Sequence, residues 1–262
     1  MTLPPIDLTQ RLRGKVAVIT GGASGIGLAT ARRFAAEGAT VVIGDFNEET
    51  GERAAAEVGG LFVQVDVTNK EQVDHLFDTA ASTYGSVDVA FNNAGISPPD
   101  DDSIETTELD AWDRVQQVNL TSVYLCSRAA LRHMVPQQRG SIINTASFVA
   151  VLGSATSQIS YTASKGGVLA MTRELGVQFA RQGIRVNALC PGPVNTPLLR
   201  ELFAKDPERA QRRLVHVPVG RFAEPEELAA AVAFLASDDA SFITASTFLV
   251  DGGISSAYVT PL

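Results

Sequence analysis

The sequence predicts an α/β fold, a doubly wound parallel sheet of about seven strands with helices on both faces. Short apolar runs rich in β-branched residues alternate with helical stretches along the 262 residues, the sequence form of a parallel sheet. The first of these runs feeds a glycine-rich turn that opens a helix. No repeat, low-complexity tract or linker divides the chain, so residues 1–262 are expected to fold as one domain around one large core.

The strands are expected at residues 15–20, 40–45, 61–66, 87–92, 141–146, 185–190 and 247–250. Lys15-Val-Ala-Val-Ile19 and Thr40-Val-Val-Ile-Gly44 are continuous apolar runs, as expected of strands buried on both faces. Helices are expected over 24–37, 48–58, 69–84, 108–134, 160–182 and 224–236. The last begins Pro225-Glu226-Glu227, a proline and an acidic first turn, which suit a helix start. The long irregular segment at about 191–221 is expected to hold two short helices, over Pro197–Lys205 and Pro207–Val215. A segment of that length outside the sheet suits a substrate lid.

Between the first strand and its helix stands Thr20-Gly21-Gly22-Ala23-Ser24-Gly25-Ile26-Gly27. Strand, glycine turn and helix form the start of a Rossmann-like dinucleotide unit, in which glycines admit a pyrophosphate to the helix N-terminus. The second strand ends at Asp45, eighteen residues past Gly27, where a carboxylate can accept hydrogen bonds from both hydroxyls of an adenosine ribose. The same charge repels a 2′-phosphate, and no arginine or lysine follows before Arg53. NAD(H) is therefore expected over NADP(H). Phe46 joins Asp45, Gly21, Ser24, Gly25, Ile26 and Gly27 in the expected cofactor set.

Tyr161-Thr-Ala-Ser-Lys165 carries the chemistry, with Ser147 fourteen residues upstream of the tyrosine. Residues four apart share a helix face. A free phenol titrates near ~10, and a nearby ammonium favours the phenolate. The pair can then exchange a proton with an alcohol or ketone at neutral pH.

These residues resemble the short-chain dehydrogenase/reductase family over nearly the whole chain. Thr20 to Gly27 is similar to its T-G-x-x-x-G-x-G turn, and Asn92-Asn-Ala-Gly95 to its N-N-A-G segment. Pro191-Gly192 and Asp251-Gly-Gly253 also match. Asn119, Ser147, Tyr161 and Lys165 fall where its catalytic asparagine, serine, tyrosine and lysine stand. The resemblance implies that Asp66 and Val67 contact the adenine and that Asn93, Ala94 and Gly95 line the adenosine ribose region. It implies that the segment from Pro191 and Gly192 through Val194 to Thr196 faces the nicotinamide, with Val194 binding its amide. Lys165 would also hold the nicotinamide ribose, and Asn119 a water that links the lysine to solvent. The family usually assembles as a symmetric tetramer, so a homotetramer is expected, packed through the apolar-rich helices over 108–134 and 160–182. Two departures stand out. One residue is inserted between Ser147 and Tyr161, and Ala245 stands where the family often has glycine.

Other classes fit poorly. Net charge −8 and a pI near 4.9 disfavour nucleic acid or an anionic membrane as partner. Arg128/Arg132 and Arg212-Arg213 read as solvated helix faces. Residues 1–10 lack a signal peptide's basic start and apolar core, and two cysteines suggest reduced thiols, so a cytoplasmic enzyme is expected. His75, His133 and His216 are scattered without metal-ligand spacing, and no metal is expected. Asp100-Asp101-Asp102 follows Ser97-Pro-Pro99 in a loop and is expected to be solvated.

For the substrate, Ser97, Val149, Val151, Ile159, Leu198, Leu199 and Phe203 are candidate walls, mostly apolar and without convergent arginines. They favour a neutral, fairly lipophilic secondary alcohol or ketone. A 3-oxoacyl-thioester reductase remains the nearest alternative, and a non-catalytic cofactor-binding regulator the next, because fold does not fix function.

Overall fold

A computed structural model describes residues 10–154, 156–197, 199 and 214–257. Seven strands pair in the order β3-β2-β1-β4-β5-β6-β7, every pair parallel. They are β1 (Val16–Thr20), β2 (Thr40–Asp45), β3 (Leu61–Gln64), β4 (Val89–Asn92), β5 (Gly140–Thr145), β6 (Ile184–Pro191) and β7 (Thr247–Val250). The helices, numbered among the described residues, are α1 (Gly25–Ala36), α2 (Glu48–Val58), α3 (Lys70–Tyr84), α4 (Leu109–Gln116), α5 (Ser122–Gln137), α6 (Ile159–Phe179) and α7 (Pro225–Ala236).

Strand side chains alternate between two cores, as a period of two requires. Ala17, Ile19, Val41, Ile43 and Phe91 pack with Phe34 of α1 and Val232 and Leu235 of α7. Val16, Val18, Val42 and Ala90 pack with Leu76 and Phe77 of α3 and Met134 of α5. A third cluster joins Val168 and Leu169 of α6 to Ala188 and Cys190 of β6. Strand order reverses between β1 and β4, and the crevice beyond the carboxyl ends of these strands is where such a sheet takes a ligand.

The seven expected strands and most of the expected helices are present among the described residues, with shifted ends. At α7 the Glu224 N–H donates to the Glu227 carboxylate at 2.8 Å, so the acidic first turn closes its own N-terminus. The stretch expected as one helix over 108–134 is instead α4, a π turn at Gln117–Thr121, and α5. The Ser122 N–H reaches back five residues to the Gln117 carbonyl, a rare geometry that recurs at functional sites. Arg132 pairs with Asp74 and Asp78 of α3, and Arg128 with Asp74. These arginines therefore tie two helices together.

The base of the 191–221 segment is pinned by a parallel bridge between Val194 and Ala223, where the Asn195 N–H donates to the Ala223 carbonyl at 2.8 Å. Most of its two expected helices, with Leu198, Phe203, Arg212 and Arg213, lies outside the described residues, as do residues 1–9.

Ala245 adopts φ 58°, a left-handed backbone that costs an L-residue about 1–2 kcal/mol. It is held there because its N–H donates to the Val186 carbonyl at 2.8 Å. Gly176 presses against the same point, where an added Cβ would come within 2.6 Å of the Ala245 nitrogen. Ala245→Gly is expected to relieve that strain against the greater unfolded-state freedom of glycine, a net gain of about 0.5–1 kcal/mol. Thermal unfolding should show a midpoint about 1–4 °C higher; an unchanged or lower one would contradict the reading.

Candidate active site

The glycine turn is shaped by close approach. Gly21 and Gly25 have φ 65° and 52°, which glycine adopts without steric cost. A Cβ on Gly27 would stand 2.0 Å from the Gly21 carbonyl oxygen, so Gly27 lets α1 pack onto the turn and does not itself line the cavity. Ser24 is the N-cap residue of α1, and Gly25 and Ile26 present the start of the helix to open space.

That space is a cavity of about 780 Å³ at the strand ends. It is lined by Gly21, Ser24, Gly25 and Ile26 after β1, Asp45 and Phe46 after β2, and Asp66 and Val67 after β3. Asn93, Ala94 and Gly95 after β4 and Thr196 beyond β6 also line it, whereas Gly27, Tyr161, Lys165, Pro191, Gly192 and Val194 of the expected set do not. Asp45 is anchored, accepting from the Ala23 N–H at 3.0 Å and the Asn47 N–H at 3.1 Å. Phe46 beside it is 73% exposed. Asp66 accepts from the Thr68 N–H and hydroxyl at 2.9 and 2.7 Å. The Asn93 amide donates to the carbonyls of Thr20 and Gly21, both at 3.2 Å, locking the β4 loop to the glycine turn.

Val65, Thr68, Ile96, Arg114, Gln117, Val118 and Pro197 also line the cavity, and sequence reasoning missed them. Ile96 was the most reachable, as the neighbour of Gly95. Gln117 and Val118 enter through the π turn, which leaves no sequence signal. Gly192 and Val194 are instead packed. A Cβ on Gly192 would meet the Asp251 backbone at 2.6 Å, and Pro191 and Val194 are buried.

The catalytic candidates gather where β5, β6 and α6 meet. Lys165 is 3% exposed, and its ammonium donates to the Thr145 carbonyl at 2.7 Å. Burial pulls its pKa down from 10.5 to about 8, with the neighbouring Cys190 acting slightly the other way, so it remains mainly charged at neutral pH. Its Nζ lies 5.6 Å from the centroid of the half-buried Tyr161 ring. Ser147 is 5% exposed, and its Oγ accepts from the Val149 N–H at 3.4 Å, closing a 3₁₀ turn over Phe148–Ala150. Burial raises the Cys190 thiol to about 11, opposed by the Ser147 backbone N–H and the Lys165 ammonium. The structure places Tyr161 and Lys165 side by side on α6, with the lysine tied to β5 two residues before Ser147 and Gly95 facing it, where an added Cβ would lie 3.5 Å from Nζ.

Asn119 is fully buried in the π turn. Its Oδ1 accepts from the Ile96 N–H and its Nδ2 donates to the Ile96 carbonyl, each at 2.8 Å. The amide therefore clamps the strand end that floors the cavity. Of the candidate substrate walls, Ser97 and Val151 are exposed, Ile159 and Leu199 half-buried, and Val149 buried.

One expectation fails outright. Asp101 is not solvated: it is 6% exposed, with its carboxylate on the N-terminus of α6. Its two neighbours behave differently, Asp100 clasping Arg114 on the surface and Asp102 using its backbone N–H on the Thr107 hydroxyl.

The residues present fit a nicotinamide dinucleotide. The glycine cradle has no room for side chains at Gly21 or Gly27, the α1 N-terminus opens on the cavity, and the buried Lys165 ammonium lies next to Gly95 in its lining.

The profile of a family described as "Enoyl-(Acyl carrier protein) reductase" matches residues 21–255. The chain is 46% identical to cis-4-hydroxycyclohexanecarboxylate dehydrogenase of Sinomonas cyclohexanicum, over 91% of this chain and 96% of that one. It is 40% identical to the 3-oxoacyl-[acyl-carrier-protein] reductase FabG of Thermotoga maritima, over 94% and 99%. Among solved structures, levodione reductase superposes with a TM-score of 0.89 at 37% identity, over 94% of this chain and 99% of that one. The chain belongs to the short-chain dehydrogenase/reductase family. It is an oxidoreductase of that family, whose dehydrogenases use nicotinamide cofactors.

Proposed function

We propose that the protein is an NAD(H)-dependent dehydrogenase that interconverts a secondary alcohol and its ketone, with Tyr161 as the acid–base group. The observation that carries this is the buried Lys165 ammonium one helical turn from Tyr161, 5.6 Å from its ring. When bound, the nicotinamide supplies the hydride acceptor or donor at C4. Tyr161 takes the hydroxyl proton of an alcohol being oxidised, or returns one to a carbonyl being reduced. Lys165 favours the phenolate by its charge and holds the nicotinamide ribose. Ser147 donates a hydrogen bond to the substrate oxygen as negative charge grows there. Asn119 holds the Gly95–Ile96 floor on which these groups converge, and with it the relay from lysine to solvent. The segment at about 191–221 serves as the lid.

NAD(H) is the preferred cofactor on two grounds. The Asp45 carboxylate lines the cavity beside the exposed Phe46. Arg114, a cation that also lines it, is paired with both Asp100 oxygens at 2.7 Å, which offsets the positive charge it would offer a 2′-phosphate. The substrate is a neutral cyclic or lipophilic alcohol, because the described wall residues carry no charge. The named activity of the FabG relative favours a second reading, reduction of a 3-oxoacyl thioester. Buried free Cys126 and Cys190 fit a reducing cytoplasm. No helix among the described residues is long and apolar enough to cross a membrane. A homotetramer is supported by Tyr124 of α5 and Val177 of α6, which are 53% and 73% exposed on the helices expected to pair.

The test is turnover against neutral cyclic alcohols, a hydroxycyclohexanecarboxylate and a 3-oxoacyl thioester, each with both cofactors. Neutral ring alcohols with NAD should give the highest kcat/KM. A higher value for the thioester with NADPH would transfer the assignment to the second reading, and cofactor binding without turnover of any substrate would indicate a regulator.

A further inference from the structure

We infer that Asp101 is a positioning residue for the reaction, a carboxylate supplied from the β4–α4 loop that fixes the height of Tyr161 above the site. The inference rests on the acid–base role of Tyr161 proposed above.

The first turn of any helix carries backbone N–H groups without intrahelical partners. In α6 these belong to Ile159, Ser160 and Tyr161, and the local N-cap residue, Gln158, contributes no side-chain bond. All three are met from a segment some sixty residues earlier in the chain. The Ile159 N–H donates to the Asp102 carbonyl at 3.1 Å. The Ser160 and Tyr161 N–H groups donate to the two Asp101 carboxylate oxygens at 2.9 and 2.8 Å. Asp101 is buried, and negative charge at a helix N-terminus is favoured by the macrodipole.

Tyr161 is the third residue of this helix, so its Cα is placed by the first turn alone. Lys165, one turn further in, is separately tied to β5 through the Thr145 carbonyl at 2.7 Å. Loss of the Asp101 cap therefore shifts the turn that carries Tyr161 while leaving the lysine's bond to β5 in place. Arg114 on α4 lines the cofactor cavity and is gripped by Asp100, so consecutive aspartates brace the cavity wall and the tyrosine helix against one loop. Displacement of a reacting group by about 1 Å can cost roughly a hundredfold in rate.

The experiment compares Asp101→Ala, Asp101→Asn and Tyr161→Phe in the full-length enzyme, using NAD and the best alcohol of the panel, with rates normalised to NADH-binding sites. Asp101→Ala should lose about 30–100-fold in kcat, with KM for the alcohol and Kd for NADH within about threefold. Asp101→Asn should recover only part of that loss, because its one amide oxygen can accept from a single N–H while its Nδ2, a donor, faces the other. If Asp101→Ala does not fold, Asp101→Ser takes its place, a shorter cap that should fall between the other two. An Asp101→Ala enzyme with wild-type kcat per site would overturn the inference. So would a loss in which Asp101→Asn is no better than Asp101→Ala, or one seen only in melting temperature. Wild-type turnover in Tyr161→Phe would instead remove the reading on which the inference rests.

Discussion

Tyr161→Phe should reduce kcat by about a thousandfold, inside the 10²–10⁴ range for loss of a positioned acid or base, while NADH binds within about twofold of wild type. The substitution deletes one oxygen and keeps the ring. The Lys165 ammonium 5.6 Å from the ring centroid and its bond to the Thr145 carbonyl should therefore persist. The cavity that would take the dinucleotide is lined by other residues, from Gly21 to Pro197, so binding and chemistry separate in this variant. Steady-state turnover read beside fluorescence titration of NADH checks both halves. Retained turnover would remove Tyr161 from the mechanism, and lost NADH binding would show a structural defect instead.

Much of this site could be read from residues because the relevant physics is local. A β-branched run followed by glycines is strand and turn wherever the chain goes, and Tyr161 and Lys165 lie four apart on one helix. Asp45 was placed by its position at a strand end, and it does line the cavity. What escaped depends on contacts between distant segments. Asp101 sits among two other aspartates after two prolines, a pattern that reads as solvated loop. Its partners, the N–H groups of Ser160 and Tyr161, lie about sixty residues on. The π turn at Gln117–Thr121 is a difference of hydrogen-bond register within an unbroken helical pattern. Only that register shows Asn119 gripping Ile96 and Gln117 and Val118 facing the cavity. Ala245 stands between these cases. Its departure from the family's glycine was legible, but the strain behind it appears only in the φ of 58°.

Lys165→Met should abolish most turnover and yet stabilise the apo protein. Burial lowers the Lys165 pKa from 10.5 to about 8, and each unit corresponds to about 1.4 kcal/mol. Below pH 8 the folded chain therefore carries the ammonium at a cost of roughly 3 kcal/mol relative to the unfolded chain. The sign follows from proton counts: between about 8 and 10.5 the unfolded state binds more protons. Wild-type stability should rise with pH across that window and show the full cost below it. Methionine fills a similar volume without charge, but leaves the Thr145 carbonyl without its donor, which returns about 1 kcal/mol. The net expectation at pH 7 is a gain of about 1–2 kcal/mol, or about 2–8 °C in the unfolding midpoint. The difference between the two proteins should shrink toward pH 10. Thermal unfolding at pH 7 and pH 9.5 checks both. A variant less stable at pH 7, or one with the same pH dependence as wild type, would contradict the assigned cost. The predicted result is the signature of a side chain retained for chemistry against the interest of the fold, since nothing about packing at this position favours a charge.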